Sequence, residues 1–366
     1  MSQSQSQTDL FDNPLGTDGF EFVEFTSPEP RALASAFEAM GFTAVARHRS
    51  KHVLHYRQGD VDFILNMEPR GQAARFRGQH GPSINAMAFR VRDAALALRL
   101  AVERGAREVR GIVGPMELNI PAIEGIGGSY LYLVDRYGAQ EIYDVDFVAL
   151  AGSALEQVAG AGLTRIDHLT HNVERGNMQK WAQFYERVFN FREIRCFDIE
   201  GQATGLLSKA MTSPDGKIRI PLNESRDDKS QIEEFLHSYR GEGIQHVALA
   251  TDDIYATVQR MRARGLRFQD TPDSYYEAIE ARVPGHGEDV ARLRELGILI
   301  DGAPSQGQGL LLQIFTQNLV GPCFFEIIQR KGNEGFGEGN FKALFESLEL
   351  DQVRRGVLSL DRSHER

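Results

Sequence analysis

The sequence predicts an α+β fold of two tandem open β-barrels, each assembled from paired βαβββ units, with one further helix at the C-terminus. Three observations carry this expectation. At 366 residues the chain is too long for one ordinary core. Its second half repeats the layout of its first. Between the helical stretches it alternates polar and apolar residues with the period of a strand.

The first unit opens with GFEFVEFTSPEPRALASAFEAMGF (19–42), which reads as a strand, a Pro-marked turn and a helix with Leu33, Phe37 and Met40 on one face. In the second half RIDHLTHNVERGNMQKWAQFYERVFNF (165–191) gives the same order, its helix carrying Trp181, Phe184, Tyr185 and Val188 at helical spacing. Alternating runs follow in each half: HVLHYRQGDVDFILN (52–66) in one, IRCFDIE (194–200) and KIRIPLN (217–223) in the other. A second unit then begins twice. SINAMAFRVRDAALALRLAVERGA (83–106) aligns with GIQHVALATDDIYATVQRMRARGL (243–266): a strand, an acidic turn suited to capping, and an amphipathic helix ending near Gly. The modules are expected at 15–150 and 160–360, joined through AGSALEQVAGAG (151–162), whose small residues mark a flexible linker. The Ser/Gln-rich start, residues 1–14, reads as a disordered tail without a signal-peptide pattern.

Composition narrows the function classes. A hydrophobic share of 42% with 25% charged residues is that of a soluble globular protein, and the net charge of -10 argues against a nucleic-acid partner. No apolar run is long enough to span a membrane. Two cysteines, Cys196 and Cys323, are too few for a disulfide framework and fit a reducing compartment, so the expected location is cytoplasmic.

Three strand-like runs each carry one metal-ligand residue in apolar surroundings: His168, His246 and Glu326. They lie too far apart along the chain for a local finger or a helix pair, so tertiary folding must bring them together. Aligning the repeats sets His168 against Phe22 and His246 against Ala86, so ligand-type residues occur in the second half alone. Strand alternation turns His171 away from His168's face. Two imidazoles and one carboxylate with open positions suit a non-haem Fe(II) that activates oxygen; zinc in an open hydrolytic site competes for the same ligands.

The segments IDHLTHNV, GIQHVAL, LLLQIFT, GPCFFEIIQRKG and GFGEGNFKALFESLELDQ, together with YRQGDVDFILN and GPMELNIPAIEGIGG, resemble the 4-hydroxyphenylpyruvate dioxygenases of bacteria over almost the whole chain. The resemblance implies two vicinal-oxygen-chelate modules. The N-terminal one is structural and serves oligomerisation; the C-terminal one is catalytic, with Fe(II) held by His168, His246 and Glu326. It also implies a substrate pocket with a polar wall of Ser208, Asn223, Gln231, Gln245 and Gln313 and aromatic surfaces from Phe324, Phe336 and Phe341. Alternation points Gln245, next to His246, away from the metal and gives it an indirect place. The implied reaction takes 4-hydroxyphenylpyruvate and O2 to homogentisate and CO2, by decarboxylation, ring hydroxylation and a side-chain 1,2 shift in tyrosine and phenylalanine catabolism. No separate acid or base is assigned, and the implied assembly is a homo-oligomer, dimer or tetramer. FKALFESLELDQV spaces Phe341, Leu344, Phe345 and Leu348 as one helical face, a lid expected over 341–353.

Other signals are set aside. GFGEGN lacks the dinucleotide-binding glycine spacing. His48, His52 and His55 read as a solvated strand rim, and nothing places a base beside Cys323. Two rival functions share the fold. One is 4-hydroxymandelate synthase, which oxidises the benzylic carbon of the same substrate; the other is a non-catalytic small-molecule binder. A zinc- or nickel-dependent isomerase of glyoxalase type is a third.

Overall fold

The computed structural model describes residues 9–114, 116–150, 160–200, 205–228 and 230–344. In the first half β1 (Thr17–Thr26), α1 (Pro30–Ala39), β2 (Thr43–His48), β3 (Val53–Gln58) and β4 (Val61–Asn66) form one unit. After α2 (Gln72–His80) the second unit is β5 (Ser83–Val91), α3 (Ala94–Glu103), β6 (Glu108–Val109), β7 (Ala122–Glu124) and β8 (Tyr130–Val134). The short α4 (Ile142–Asp146) and β9 (Phe147–Ala149) end this half. The second half repeats the plan with β10 (Leu163–Val173), α5 (Met178–Phe189), β11 (Arg192–Glu200), β12 (Gly205–Thr212) and β13 (Arg219–Ser225). Then come α6 (Gln231–Tyr239), β14 (Gly243–Thr251) and α7 (Ile254–Ala263). Three short helices, α8 (Asp273–Glu277), α9 (Ile279–Arg282) and α10 (Val290–Leu296), precede β15 (Leu299–Gly302), β16 (Leu310–Phe315) and β17 (Phe324–Lys331).

Among the described residues the strands form two curled sheets, ordered β6-β7-β8-β5-β1-β4-β3-β2-β9 and β11-β12-β13-β10-β14-β17-β16-β15. In each, the opening strands of the two units lie antiparallel at the centre, β1 on β5 and β10 on β14. The last strand of each unit closes on one of them in parallel: β4 on β1, β8 on β5, β13 on β10 and β17 on β14. This is the expected repeat of βαβββ units. The acidic turns act as caps: Asp93 accepts from Leu96 N at 2.8 Å and Asp253 from Ala256 N at 3.0 Å.

The modules share one core. Phe25 packs on Phe37 (5.0 Å between ring centroids) and Phe63 (4.8 Å) in its own half, and on Phe325 (5.9 Å) across the boundary. Phe89 meets Phe189 at 5.4 Å in the same way. Burying each such ring contributes about 1.5–3 kcal/mol, so the two halves stabilise one another. Of the expected linker, residues 160–162 are described and the rest lies outside the described residues; Gln58 Oε1 accepts from Gly162 N at 3.1 Å, pinning this entry to the first module. Among the described residues no helix is long and apolar enough to cross a membrane.

Two expectations need correction. The sequence predicts a tail over residues 1–14, but from Asp9 the chain is docked: Leu10 N donates to Pro214 O at 2.7 Å, Asp9 pairs with Arg92 at 2.7 Å, and the Arg192 guanidinium lies 4.1 Å from the Phe11 ring. Residues 1–8 lie outside the described residues. Nor do His48, His52 and His55 form a solvated rim. His52 is exposed, but His55 is fully buried, its Nε2 on Asp62 Oδ1 at 2.5 Å and its ring stacked 4.0 Å from Tyr143. His48 is buried as well. The helix α4 and β9 cover that end of the sheet, and alternation within β3 alone does not reveal a cover from distant sequence.

Candidate metal centre and its cavity

His168, His246 and Glu326 offer ligand atoms that all lie within 4.8 Å of one another, and all three side chains are buried. The register explains the meeting. Across β10, β14 and β17, His168 stands opposite Ala248, and Ala248 opposite Glu326. Residues paired across adjacent strands share a face, and so do residues two apart on one strand, so His246 joins that face from one pleat away. Ala248, fully buried, contributes only a methyl between His168 and Glu326. A larger side chain would fill the space where the three groups converge.

His168 Nε2 lies 3.3 Å from Glu326 Oε2, and His246 Nε2 lies 3.4 Å from the same oxygen. Glu326 Oε1 is buried without a hydrogen-bond partner among the described residues. A buried carboxylate with one oxygen orphaned and the other facing two imidazole nitrogens is costly unless a cation completes it, so the donor set fits a metal. Each imidazole is oriented from behind. His168 Nδ1 donates to Asp167 Oδ1 at 2.9 Å, an irregularity of β10 between Ile166 and His168 letting neighbours meet, and His246 Nδ1 donates to Gln245 Oε1 at 3.0 Å. Asp167 is itself clamped by Arg330, whose Nη2 and Nε donate at 2.7 Å and 2.8 Å. Such outer contacts fix the tautomer that presents Nε2.

Burial opposes charge on all three groups, and the balance differs among them. For Glu326 the two imidazoles overcome burial and pull the carboxyl down to about 2. For His168 burial lowers the pKa, but Glu326 and Asp167 outweigh it and the net shift is upward. His246, lacking a second carboxylate, stays lowered by burial. A carboxylate ionised at neutral pH beside two imidazoles is the state a divalent cation requires.

The triad borders a cavity of about 210 Å³. All eight residues named for the pocket border it: Ser208, Asn223, Gln231, Gln245 and Gln313 on polar stretches, and Phe324, Phe336 and Phe341 on aromatic ones. Ser208 and Asn223 are paired across β12 and β13. Phe324 stacks on His246 at 4.8 Å, and Phe336 stands edge-on to His168 at 5.3 Å. Gln313 is buried, and both its amide atoms lack partners among the described residues. Gln245 orients His246 and borders the cavity as well. His171 is not in the cluster; its Nε2 meets Tyr185 Oη at 2.7 Å. Cys323 is buried, its Sγ on Ile244 O at 3.3 Å.

Residues not singled out in the sequence complete the site. Phe315, Leu206 and Pro221 add apolar wall. Asp167 and Arg330 act from behind the ligands and Ala248 lies between His168 and Glu326; the acidic residue immediately before His168 is the one signal the sequence offers. A helical segment runs from 338 to the last described residue, 344, and brings Asn340, Phe341 and Leu344 to the cavity. The remainder of the helix expected over 341–353, including Phe345 and Leu348, lies outside the described residues.

Residues 11–148 match the family model "Hydroxyphenylpyruvate dioxygenase, HPPD, N-terminal", and residues 165–279 match "Glyoxalase/Bleomycin resistance protein/Dioxygenase superfamily". The chain is 64% identical to Hemolysin VllY of Vibrio vulnificus (strain CMCP6), over 95% of this chain and 98% of that protein. It is 60% identical to 4-hydroxyphenylpyruvate dioxygenase of Pseudomonas aeruginosa (strain PAO1), over 94% of this chain and 97% of the relative. Among solved structures, a triply substituted 4-hydroxymandelate synthase from Streptomyces coelicolor superposes with a TM-score of 0.79 at 27% identity, covering 92% of this chain and 99% of that one. With two vicinal-oxygen-chelate modules, a buried metal-type triad in the second, and identity to dioxygenases sustained end to end, the chain belongs to the 4-hydroxyphenylpyruvate dioxygenase family.

Proposed function

We propose that this dioxygenase uses Fe(II), held by His168, His246 and Glu326, to convert 4-hydroxyphenylpyruvate and O2 to homogentisate and CO2. The observation that carries the reading is the coexistence, in one cavity, of a carboxylate-imidazole triad with an orphaned oxygen and a buried Gln313 amide with no partner among the described residues. When bound there, ferrous iron supplies oxygen activation and a seat for the oxygens of a 2-oxo acid. The chain's own residues do the rest. Phe324, Phe336 and Phe341 give the aromatic ring apolar faces. Gln313 and Asn223, with Ser208 and Gln231, offer hydrogen bonds that fix a phenol hydroxyl. Asp167 and Gln245 hold the imidazole tautomers, and the 338–344 segment shields the cavity from water.

The likeness to 4-hydroxymandelate synthase bears on the product alone, since that outcome needs the same pocket. Oxygen uptake with 4-hydroxyphenylpyruvate and Fe(II), followed by product identification, tests both points. Uptake, homogentisate as product, and loss of both in Glu326→Gln are expected. Finding 4-hydroxymandelate would overturn the assigned reaction, and no uptake by metal-loaded protein would leave a binding protein. We further infer a cytoplasmic homo-oligomer, dimer or tetramer, assembled through the N-terminal module; light scattering that shows monomer alone would end the latter.

A further inference from the structure

The two modules correspond residue by residue. Glu24 pairs with Ala86 as Thr170 pairs with His246, and Ala88 pairs with Tyr132 as Ala248 pairs with Glu326. The triad positions are therefore held in the first module by Phe22, Ala86 and Tyr132, which cannot ligate a metal together. A cavity persists there nonetheless. It measures about 190 Å³ and is bordered by Phe22, Glu24, Tyr130, Tyr132 and Phe147.

The cavity is not merely a residue of packing. Glu24 is 7% exposed; its Oε1 accepts from Asn66 Nδ2 at 2.9 Å and Asn85 Nδ2 at 2.6 Å, while its Oε2 has no partner among the described residues. Burial pushes this carboxyl's pKa up. The hydroxyls of Tyr130 and Tyr132, on the same wall, accept or donate no hydrogen bond to a described residue. Of the hydroxyls bordering the cleft, Tyr143 Oη is buried without a hydrogen-bond partner among the described residues, and such an atom is costly without a polar occupant. Phe22 and Tyr132, 5.6 Å apart, present aromatic surface beside them, and Tyr143 and Phe147, 5.7 Å apart, another. At the mouth stand Lys51, paired with Glu117 at 2.8 Å, and the exposed Arg70, which pairs with no described carboxylate.

We propose that this cleft is a second small-molecule site, taking a single-ring phenolic carboxylate whose hydroxyl reaches Glu24 and Tyr132 and whose carboxylate meets Arg70. The site binds without chemistry, because nothing in it replaces the metal ligands. The ring lies against Phe22 and Tyr132, and the polar ends are read separately, one buried and one at the rim.

Calorimetric titration of the metal-loaded full chain with 4-hydroxyphenylacetate, which lacks the keto group, tests this. A binding component that survives Gln313→Ala is expected. It should weaken about three- to five-fold in Arg70→Ala, as loss of one exposed ion pair does. In Tyr132→Phe, which removes only a hydroxyl, a similar weakening is expected. Turnover should be unchanged by either. The measurement is of binding, so it stands whatever reaction the C-terminal cavity performs. No heat at millimolar probe, or binding that disappears with Gln313→Ala and ignores Arg70→Ala and Tyr132→Phe, would overturn the assignment.

Discussion

Arg330 grips both oxygens of Asp167, at 2.7 Å and 2.8 Å, while its remaining nitrogen donates to the carbonyls of Asn333 and Gly335 at 3.0 Å and 2.7 Å. Its guanidinium also lies 5.7 Å from the Phe336 ring. One side chain thus joins the carboxylate that orients His168 to the loop that carries an aromatic wall of the cavity. Only a planar fork with several donors can do both.

Arg330→Lys is therefore expected to lower metal affinity by about 10- to 100-fold, the usual effect of losing an outer contact to a ligating histidine. Titrating the metal-free protein with Fe(II) under anaerobic conditions measures this apart from turnover. KM should rise together with the loss of affinity, because the loop bearing Phe336 loosens. Unchanged metal binding would show that Asp167 holds His168 without help.

Ala248 gives a sharper test of the triad's geometry. It sits between His168 and Glu326 on one sheet face, so added methyls enter the space where the ligand atoms meet. Ala248→Val should cost about 1–3 kcal/mol from overpacking and empty the site of metal. Metal analysis alongside a thermal melt distinguishes the two effects. A folded, fully loaded variant would mean the ligands converge elsewhere.

The repeat was legible because hydrophobic period is a local property, and four helices with strands before them announce four units. The strand register agrees with the repeat alignment of Phe22 with His168 and Ala86 with His246, because chemistry-bearing residues stand out against an apolar strand. Ala248 was invisible for the opposite reason: a small residue in a strand carries no signal until its cross-strand neighbours are known. Asp167 and Arg330 are separated by nearly the whole C-terminal module, and long-range ion pairs leave no pattern in one sequence. His55 misled because its partner Asp62 and its cover Tyr143 reach it only through folding.

Gly337 shapes the cavity through its backbone. Its φ is +78°, and a Cβ built there would come within 1.9 Å of Gln313 Oε1. Gly337→Ala is strained twice over, by conformation and by collision with an amide that faces the cavity. The expected outcome is a KM raised about tenfold, the equivalent of about 1.4 kcal/mol, with metal content unchanged. Steady-state kinetics on the metal-quantified variant checks it. An unaltered KM would remove Gln313 from the substrate contacts.

The pH dependence of stability should report on His171. Burial depresses its pKa from the ordinary 6.5 to about 3, with a neighbouring His246 acting the same way and a backbone contact at Thr170 opposing both. Its Nε2 accepts from Tyr185 Oη, an arrangement that needs the neutral ring. Between pH 6.5 and 3 the unfolded chain binds a proton that the folded chain refuses, so stability falls as pH falls. The slope is about 1.4 kcal/mol per pH unit from this group alone. Buried His48 and His80, also lowered by desolvation, add contributions of the same sign. In melts of metal-loaded protein from pH 7 to 5 most carboxylates stay ionised, but burial pushes Glu21 up to about 7 and gives it a contribution of opposite sign, so His171 is isolated by comparing a variant with the parent chain. His171→Asn should melt lower at pH 7, having lost the contact with Tyr185, yet lose less stability on acidification than the parent chain. Parallel pH profiles for the two proteins would show that His171 is charged in the folded state, and the neutral hydrogen bond to Tyr185 would then have to be reversed.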